Sequence, residues 1–169
     1  MRFRPSSQKQ LFPVSENSGK TSEAQPLGST AGEWITAYID GGARGNPGPA
    51  GYGVHVCDQS GKVLAEISKF LGHGTNNFAE YSALLAALDY SLQHGHKKLK
   101  VFSDSELLVK QMKGEYKVKS PDLRPLYDEA RARIRKLESF SIQHLRREQN
   151  RDADRLANQA MDAGKKPRF

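Results

Sequence analysis

The chain has 169 residues, of which 37% are hydrophobic and 27% are charged, values typical of one ordinary globular domain. It has no apolar run near the roughly 18 residues that a membrane span needs, and no apolar stretch follows Arg2 and Arg4 as it would in a secretory signal. We therefore expect no membrane insertion and a cytoplasmic location. The single cysteine, Cys57, has no disulfide partner in the chain, which fits a reducing compartment.

The net charge of +7 favours a polyanionic partner such as a nucleic acid. Lys and Arg number 7 against 8 Asp and Glu up to residue 92, and 19 against 11 from residue 93 onward. The second half of the chain therefore carries the basic surface. Charge alone fits equally well with a solvated surface that binds nothing.

The composition of the chain changes near residue 33. Residues 1–32 are rich in Ser, Gln, Gly, Thr and Pro and show no sustained apolar period, which predicts a disordered N-terminal extension. Apolar periodicity begins at Trp34. We predict one folded domain over residues 33–164, followed by a short C-terminal tail over residues 165–169.

The first part of this domain is predicted to form three strands. Residues 35–39 carry apolar side chains on both faces, as in a central strand buried on both sides, and the run ends at Asp40. Glycine and proline over residues 41–49 predict a turn, and residues 52–57 and 62–70 then alternate as strands. Because the connections are short, an antiparallel meander is expected.

The second part alternates helices and strands. Apolar residues at helical spacing up to Leu92 predict a helix capped by Asn76 or Asn77 and ended at Gly95. The later elements are a strand at 99–103, a short helix through Met112 with Ser105 as its candidate cap, a helix from about Asp122, a strand at 140–145 and a helix from about Arg151 to Gly164. This order predicts an α/β fold with a five-stranded mixed sheet, three antiparallel strands then two parallel ones, and helices on both faces.

Four acidic residues fall at neighbouring places in such a fold. Asp40 and Asp104 end two strands, while Glu80 and Asp154 are placed in the first turns of two helices. Ligands of open α/β sheets gather at the carboxyl ends of the strands, and four carboxylates brought together there repel one another unless a cation is bound. Oxygen ligands favour Mg²⁺. Any one of these acids alone has a more ordinary interpretation as a helix cap, so the hypothesis rests on the set.

The sequences around these acids resemble the four motifs of type 1 ribonuclease H. They occur in that family's order and rough spacing, as YIDGGARGNPGPAGYG, TNNFAEYSALLAAL, VFSDSELLVKQM and NRDADRLAN. The resemblance covers about residues 34–163. It implies a ribonuclease H-like fold for a catalytic domain at residues 33–164. It also implies endonucleolytic hydrolysis of the RNA strand of RNA–DNA hybrids, leaving 5′-phosphate and 3′-hydroxyl ends.

The same resemblance implies a metal site and a set of substrate contacts. We expect the protein to be a monomer. Two Mg²⁺ ions are expected, with Mn²⁺ as an alternative. Asp40, beside Gly41, would bridge both ions, Glu80 and Asp104 would complete one site, and Asp154 would complete the other. Contacts to the hybrid are expected from Gly41, Gly42, Arg44, Asn46, Thr75, Asn76 and Asn77.

Three features depart from the family's pattern. The loop before the last acid lacks the histidine that many members place there and offers Arg147 and Glu148 instead. A short loop with Lys117 and Lys119 stands where some members carry a long basic protrusion, so these lysines are expected to bind phosphates. Residues 1–32 do not resemble the family's separate hybrid-binding domain. Two alternatives stay open: a catalytically silent nucleic-acid-binding module of the same fold, and a nuclease that also cleaves double-stranded RNA.

Overall fold

The computed structural model describes residues 32–164. The strands are β1 (Trp34–Ala43), β2 (Gly48–Cys57), β3 (Val63–Gly74), β4 (Lys98–Ser103) and β5 (Ser139–His144), and the helices are α1 (Asn76–Gln93), α2 (Glu106–Met112), α3 (Arg124–Ile134) and α4 (Arg151–Ala163). A 3₁₀ turn at Arg147–Gln149 precedes α4. This is the predicted order of elements. The predicted extension, apart from its last residue, and the predicted tail lie outside the described residues.

The five strands form one sheet in the order β3-β2-β1-β4-β5. β1 pairs antiparallel with β2, and β2 with β3, whereas β4 runs parallel to β1 and β5 runs parallel to β4. The predicted mixed sheet is therefore confirmed. Ile39 is the register partner of Ser103, the last pair in the parallel ladder of β1 and β4. The residues that follow them, Asp40 and Asp104, therefore lie side by side where this pairing ends.

The segment predicted as a turn over residues 41–49 is mostly strand. β1 continues through Ala43 and β2 begins at Gly48, so only residues 44–47 turn. The ladder pairs Gly41 with Tyr52 and Gly42 with Gly51. The turn was predicted because glycine has little intrinsic strand propensity. The prediction was wrong because backbone pairing and the packing of neighbouring helices hold these glycines extended.

The two faces of the sheet are covered unequally. On one face the side chains of Ile35, Ala37 and Ile39 are buried in a core to which α1, α2 and α3 also contribute. On the opposite face Thr36 and Tyr38 remain half-buried. Helices lie on both faces of the sheet, as predicted. The prediction that the first strand is buried on both sides is wrong, because α4 covers only part of the face that carries Thr36 and Tyr38.

The helix α4 packs directly against glycines of β2. A Cβ at Gly53 would lie 2.7 Å from the backbone nitrogen of Ala157 and closer still to Leu156, and a Cβ at Gly51 would collide with Ala160. Only glycine lets the helix backbone approach the sheet this closely. The Ser68 hydroxyl adds a hydrogen bond of 2.7 Å to the Leu156 carbonyl, so β2 and β3 together fix the position of α4.

Candidate active site

A cleft of about 440 Å³ opens at the carboxyl ends of β1 and β4. Its walls include all four acids that the sequence singled out, namely Asp40, Glu80, Asp104 and Asp154. Carboxylate oxygens of Asp40, Glu80 and Asp104 lie within 4.8 Å of one another. The structure thus brings together residues that are separated by up to 114 positions in the chain.

Gly41 is the residue that brings β1 against α1. A Cβ at this position would lie 2.7 Å from the backbone nitrogen of Glu80 and closer still to the Ala79 carbonyl. The close approach places the Asp40 carboxylate next to that of Glu80. Glu80 is the fifth residue of α1, so the prediction that it lies in the first turn of the helix is wrong by one or two residues, because α1 begins earlier than predicted.

Asp154 enters the cleft from the first turn of α4, as predicted. Its Oδ2 accepts a hydrogen bond of 3.3 Å from the Asn158 amide, one helical turn further on. The helix start is held by Asn150, whose Nδ2 donates to the Ile39 carbonyl over 2.9 Å. Because Ile39 precedes Asp40, this bond ties the position of Asp154 to that of Asp40.

Burial, together with the neighbouring carboxylates, raises the pKa values of Asp40, Glu80 and Asp104. Burial, reinforced by Asp104 and Asp154, raises the pKa of Asp40 to about 8. Burial followed by the charges of Asp40 and Asp104 raises the pKa of Glu80 well above its ordinary range. Burial also raises the pKa of Asp104, although Arg147 acts in the opposite direction. The cluster therefore lacks positive charge to balance its carboxylates when all of them are ionised.

A divalent cation fits this cluster. Glu80 Oε1 is buried and has no hydrogen-bond partner among the described residues, and three carboxylates from separate elements surround one point. Such an all-oxygen donor set suits a hard cation of the Mg²⁺ type. The unpartnered oxygen of Glu80 and the grouping of three carboxylates are thus consistent with the binding of a cation that neutralises their charge.

Polar groups at the rim of the cleft are hydrogen-bonded to one another. The Asn76 Oδ1 accepts a bond of 2.8 Å from the Ala43 amide, and the Asn46 Oδ1 accepts one of 2.9 Å from the Asn76 amide. Thr75 caps α1 through a bond of 3.1 Å from the Phe78 amide. The prediction that Asn76 or Asn77 provides this cap is therefore wrong. Asn76 lines the cleft, whereas Asn77 is exposed outside its walls.

Three residues of the cleft wall were not predicted from the sequence, namely Ala43 of β1 and two residues of α4. Asn158 and Met161 lie on α4 at four and seven positions after Asp154, so helical spacing places them on the same face. Asn158 Oδ1 accepts a bond of 2.9 Å from Arg44, whose other terminal nitrogen lies 2.9 Å from Asp162. Arg44 is thus held against α4 beside the cleft.

The loop before α4 places one of its two candidates in the cleft. Arg147 is part of the wall, and its Nη2 lies 3.8 Å from Asp154 Oδ1. Glu148 instead pairs with Arg146 over 3.6 Å and lies outside the cleft wall. The loop arginine, rather than the loop glutamate, is thus the group that faces the acids.

The two lysines predicted to contact phosphates lie apart from the cleft. Lys117 and Lys119 are exposed and line a shallow surface depression with Tyr116 and Leu107. Tyr116 is 50% exposed, and the Lys110 ammonium lies 5.0 Å from its ring centroid. The depression combines the two lysines and the tyrosine, groups that can contact a nucleic-acid backbone, with one acidic residue, Glu115. The role of these lysines stays a prediction.

Comparisons with known proteins agree with this fold and site. A family model described as reverse transcriptase-like matches residues 38–160. The chain is 49% identical over 131 residues to the bifunctional protein Rv2228c of Mycobacterium tuberculosis, a match covering 76% of this chain and 36% of that protein. It is 41% identical over 128 residues to ribonuclease HI of Halobacterium salinarum, covering 76% of this chain and 64% of that protein. The chain therefore spans about a third of the length of its mycobacterial relative.

Solved structures of ribonuclease H proteins are similar to the described domain. The N-terminal ribonuclease H domain of Rv2228c, solved as a fusion with maltose-binding protein, superposes with a TM-score of 0.76 at 45% identity, covering 79% of this chain and 96% of that chain. LC11-RNase H1 in complex with an RNA/DNA hybrid superposes with a TM-score of 0.74 at 42% identity, covering 78% and 99%.

Sheet order, helix placement and acidic cleft define the described domain as an α/β domain of the ribonuclease H-like fold. The chain belongs to the type 1 ribonuclease H family. Within residues 32–164, no helix combines the length and the apolar composition that crossing a membrane requires.

Proposed function

We propose that this protein is an endonuclease that hydrolyses the RNA strand of RNA–DNA hybrids with the aid of two divalent metal ions. The observation that carries the proposal is the meeting of Asp40, Glu80, Asp104 and Asp154 in one cleft. The relatives support it, since one is named ribonuclease HI and another is a ribonuclease H1 solved with an RNA/DNA hybrid.

The acids divide naturally between two ions. Asp40, next to Gly41, lies within 4.8 Å of Glu80 and Asp104 through its ligand atoms and also interacts with Asp154, so Asp40 would be shared by both ions. Mg²⁺ is the expected cofactor, and Mn²⁺ could replace it. When bound, such a pair supplies charge stabilisation for in-line displacement at phosphorus.

The chain's own groups orient the reacting phosphate. Hydrolysis forms a bond from a water oxygen to phosphorus and breaks the bond from phosphorus to the ribose 3′-oxygen, which takes up a proton. The products carry a 5′-phosphate and a 3′-hydroxyl. Arg147 lies at the cleft wall beside Asp154, where its guanidinium would hold a phosphate oxygen and balance charge as the product forms.

The rim of the cleft supplies the preference for a hybrid. The side-chain oxygens of Asn46 and Asn76 accept hydrogen bonds from backbone amides, which leaves their NH₂ groups to donate to ribose 2′-hydroxyls near Gly42. Such contacts distinguish RNA from DNA. Thr75 accepts the capping bond, so its own O–H can donate to a phosphate of the DNA strand, with Arg44 nearby.

The test uses four end-labelled substrates: RNA–DNA hybrid, double-stranded RNA, double-stranded DNA and single-stranded RNA. Each is incubated with the full chain in Mg²⁺, in Mn²⁺ and in chelator. We expect cleavage of the hybrid's RNA strand only when a divalent ion is present. Hybrid binding without cleavage in either metal would support the silent binding module instead. Equal cleavage of double-stranded RNA would support the broader nuclease.

A further inference from the structure

A second group of potential metal ligands lies outside the catalytic cleft. His55 of β2, Glu66 of β3 and Asp152 of α4 each offer a ligand atom, and these atoms lie within 4.8 Å of one another. His55 is buried, with 7% of its surface exposed, and it lies next to both carboxylates. None of the three belongs to the walls of the catalytic cleft.

The two ring nitrogens of His55 have different partners. Nδ1 lies 2.8 Å from Glu66 Oε2, a hydrogen-bond distance, whereas Nε2 lies 3.7 Å from Asp152 Oδ2. A metal-bound histidine commonly donates its other N–H to a carboxylate, which fixes the tautomer. Two ligands about 2.1 Å from one zinc ion at tetrahedral angles are about 3.4 Å apart. The spacing of Nε2 and Asp152 is close to this value.

Arg155 holds the carboxylates in this arrangement. Its Nη2 donates to Glu66 Oε2 over 2.8 Å and lies 3.4 Å from Asp152 Oδ1. The guanidinium thus engages one oxygen of Asp152 and leaves Oδ2 directed to His55. Glu66 is positioned as the support of the histidine rather than as a ligand.

A buried hydrogen-bond acceptor of Asn150 lies beside the same group of residues. Asn150 lines a pocket of about 500 Å³ together with His55 and Asp152. It is only 1% exposed, its Nδ2 is used by the Ile39 carbonyl, and its Oδ1 has no hydrogen-bond partner among the described residues. A buried acceptor without a donor is costly, and a hydrated cation in the pocket would satisfy it.

We propose that His55 Nε2 and Asp152 bind a divalent transition-metal ion of the zinc type in this pocket, with Glu66 positioning the histidine and with water completing the coordination. Imidazole together with carboxylate favours zinc over magnesium. This site is separate from the catalytic ions of the proposed function and does not depend on them. An ion here would bridge β2 to the first turn of α4.

The experiment is calorimetric titration of Zn²⁺ into the full chain carrying Asp40→Asn, which weakens binding at the catalytic cluster. We expect one binding event that remains when His73, an exposed histidine of β3, is changed to Gln. His55→Gln and Asp152→Asn should each abolish it, and Glu66→Gln should weaken it about tenfold. Because Cys57 lines the same pocket, Cys57→Ser is included and should leave the event in place.

A thermal melt keeps the result interpretable if a variant is destabilised. Zn²⁺ should raise the melting temperature of the Asp40→Asn protein, and the rise should vanish in the His55→Gln and Asp152→Asn variants but not in His73→Gln. The absence of a binding event in the Asp40→Asn protein would overturn the proposal. So would an event that is unchanged by His55→Gln, because His55 would then be only an ion-pair partner of the two carboxylates.

Discussion

The ionisation of Asp40 links the chemistry of the cleft to the stability of the domain. Its pKa is raised to about 8 by burial and by its acidic neighbours, against an ordinary value of 3.8. Between these two pH values the folded state keeps a proton that the unfolded state releases. The free energy of unfolding of the metal-free protein should therefore fall as pH rises through this window and level off above it.

Asp40→Asn should remove the part of this pH dependence that Asp40 contributes, while the raised pKa values of Glu80 and Asp104 maintain the rest. The amide carries no charge and has nearly the same volume, so in chelator at pH 8.5 we expect the melting temperature to rise by about 4 °C or more. Melts from pH 5 to pH 9 measure the effect, with the exposed Asp122→Asn as control. A parallel pH dependence in wild type and Asp40→Asn would contradict the assigned ionisation.

Arg147 is the residue whose role departs most from the family's pattern. Because its guanidinium faces Asp154 from the cleft wall, Arg147→Ala should lower kcat for hybrid cleavage by roughly tenfold, the loss of one charged contact to phosphate. The matched control is Arg146→Ala, since Arg146 is similarly exposed but pairs with Glu148. Equal rates for the two variants would show that the loop acts only through its overall charge.

At the scale of elements, the packing of α4 on glycines sets the position of Asp154. Gly53→Ala should place a methyl group against Leu156 and the backbone of α4, lowering the free energy of unfolding by about 1–3 kcal/mol and reducing cleavage. In Gly42→Ala the new Cβ has its nearest neighbours at 3.6 Å, so this variant controls for stability. Denaturant unfolding measures both. Equal stability of the two variants would contradict the close helix–sheet contact.

The elements were predictable where local sequence decides them. The meander, the α2 cap at Ser105 and the start of α4 follow from turn residues, helical spacing and capping chemistry. The extension of β1 and β2 through Gly41 and Gly48 was not predictable, because glycine favours turns and only tertiary pairing holds these residues in strands. The partial burial of Tyr38 was also not predictable from the sequence, because it depends on how far α4 extends across the sheet.

At the scale of the whole molecule, the basic excess of the second half should act on phosphates. Each phosphate contact releases counterions, so affinity falls with salt along a log–log line with a slope of about 0.9 per contact in B-form DNA. Replacing Lys117 and Lys119 with Ala should flatten this line and raise KM at physiological salt while leaving kcat nearly unchanged. The control pair is Lys97 and Lys136, which are both exposed.

Lys97 lies at the opposite end of β4 from Asp104. If replacing either pair changed the salt slope and KM equally, the lysines would act only through the overall charge of the protein.

The four acids were found from sequence because each lies within a recognisable motif, and the order of the motifs matches that of the family. The supporting contacts were not accessible in the same way. The bond from Asn150 to the Ile39 carbonyl spans 111 positions, and no local pattern reveals a partner so distant. The cluster of His55, Glu66 and Asp152 likewise depends on strand register and helix docking.

The most direct test compares hybrid cleavage in Mg²⁺ by the wild-type chain with that of Asp40→Asn, Glu80→Gln, Asp104→Asn and Asp154→Asn, using Asp122→Asn as the control. Each variant is first shown to be folded by its melting transition. We predict that the four acid variants lose roughly a thousandfold or more of the rate while the control keeps it. Near wild-type turnover by the folded Asp40→Asn protein would contradict the account.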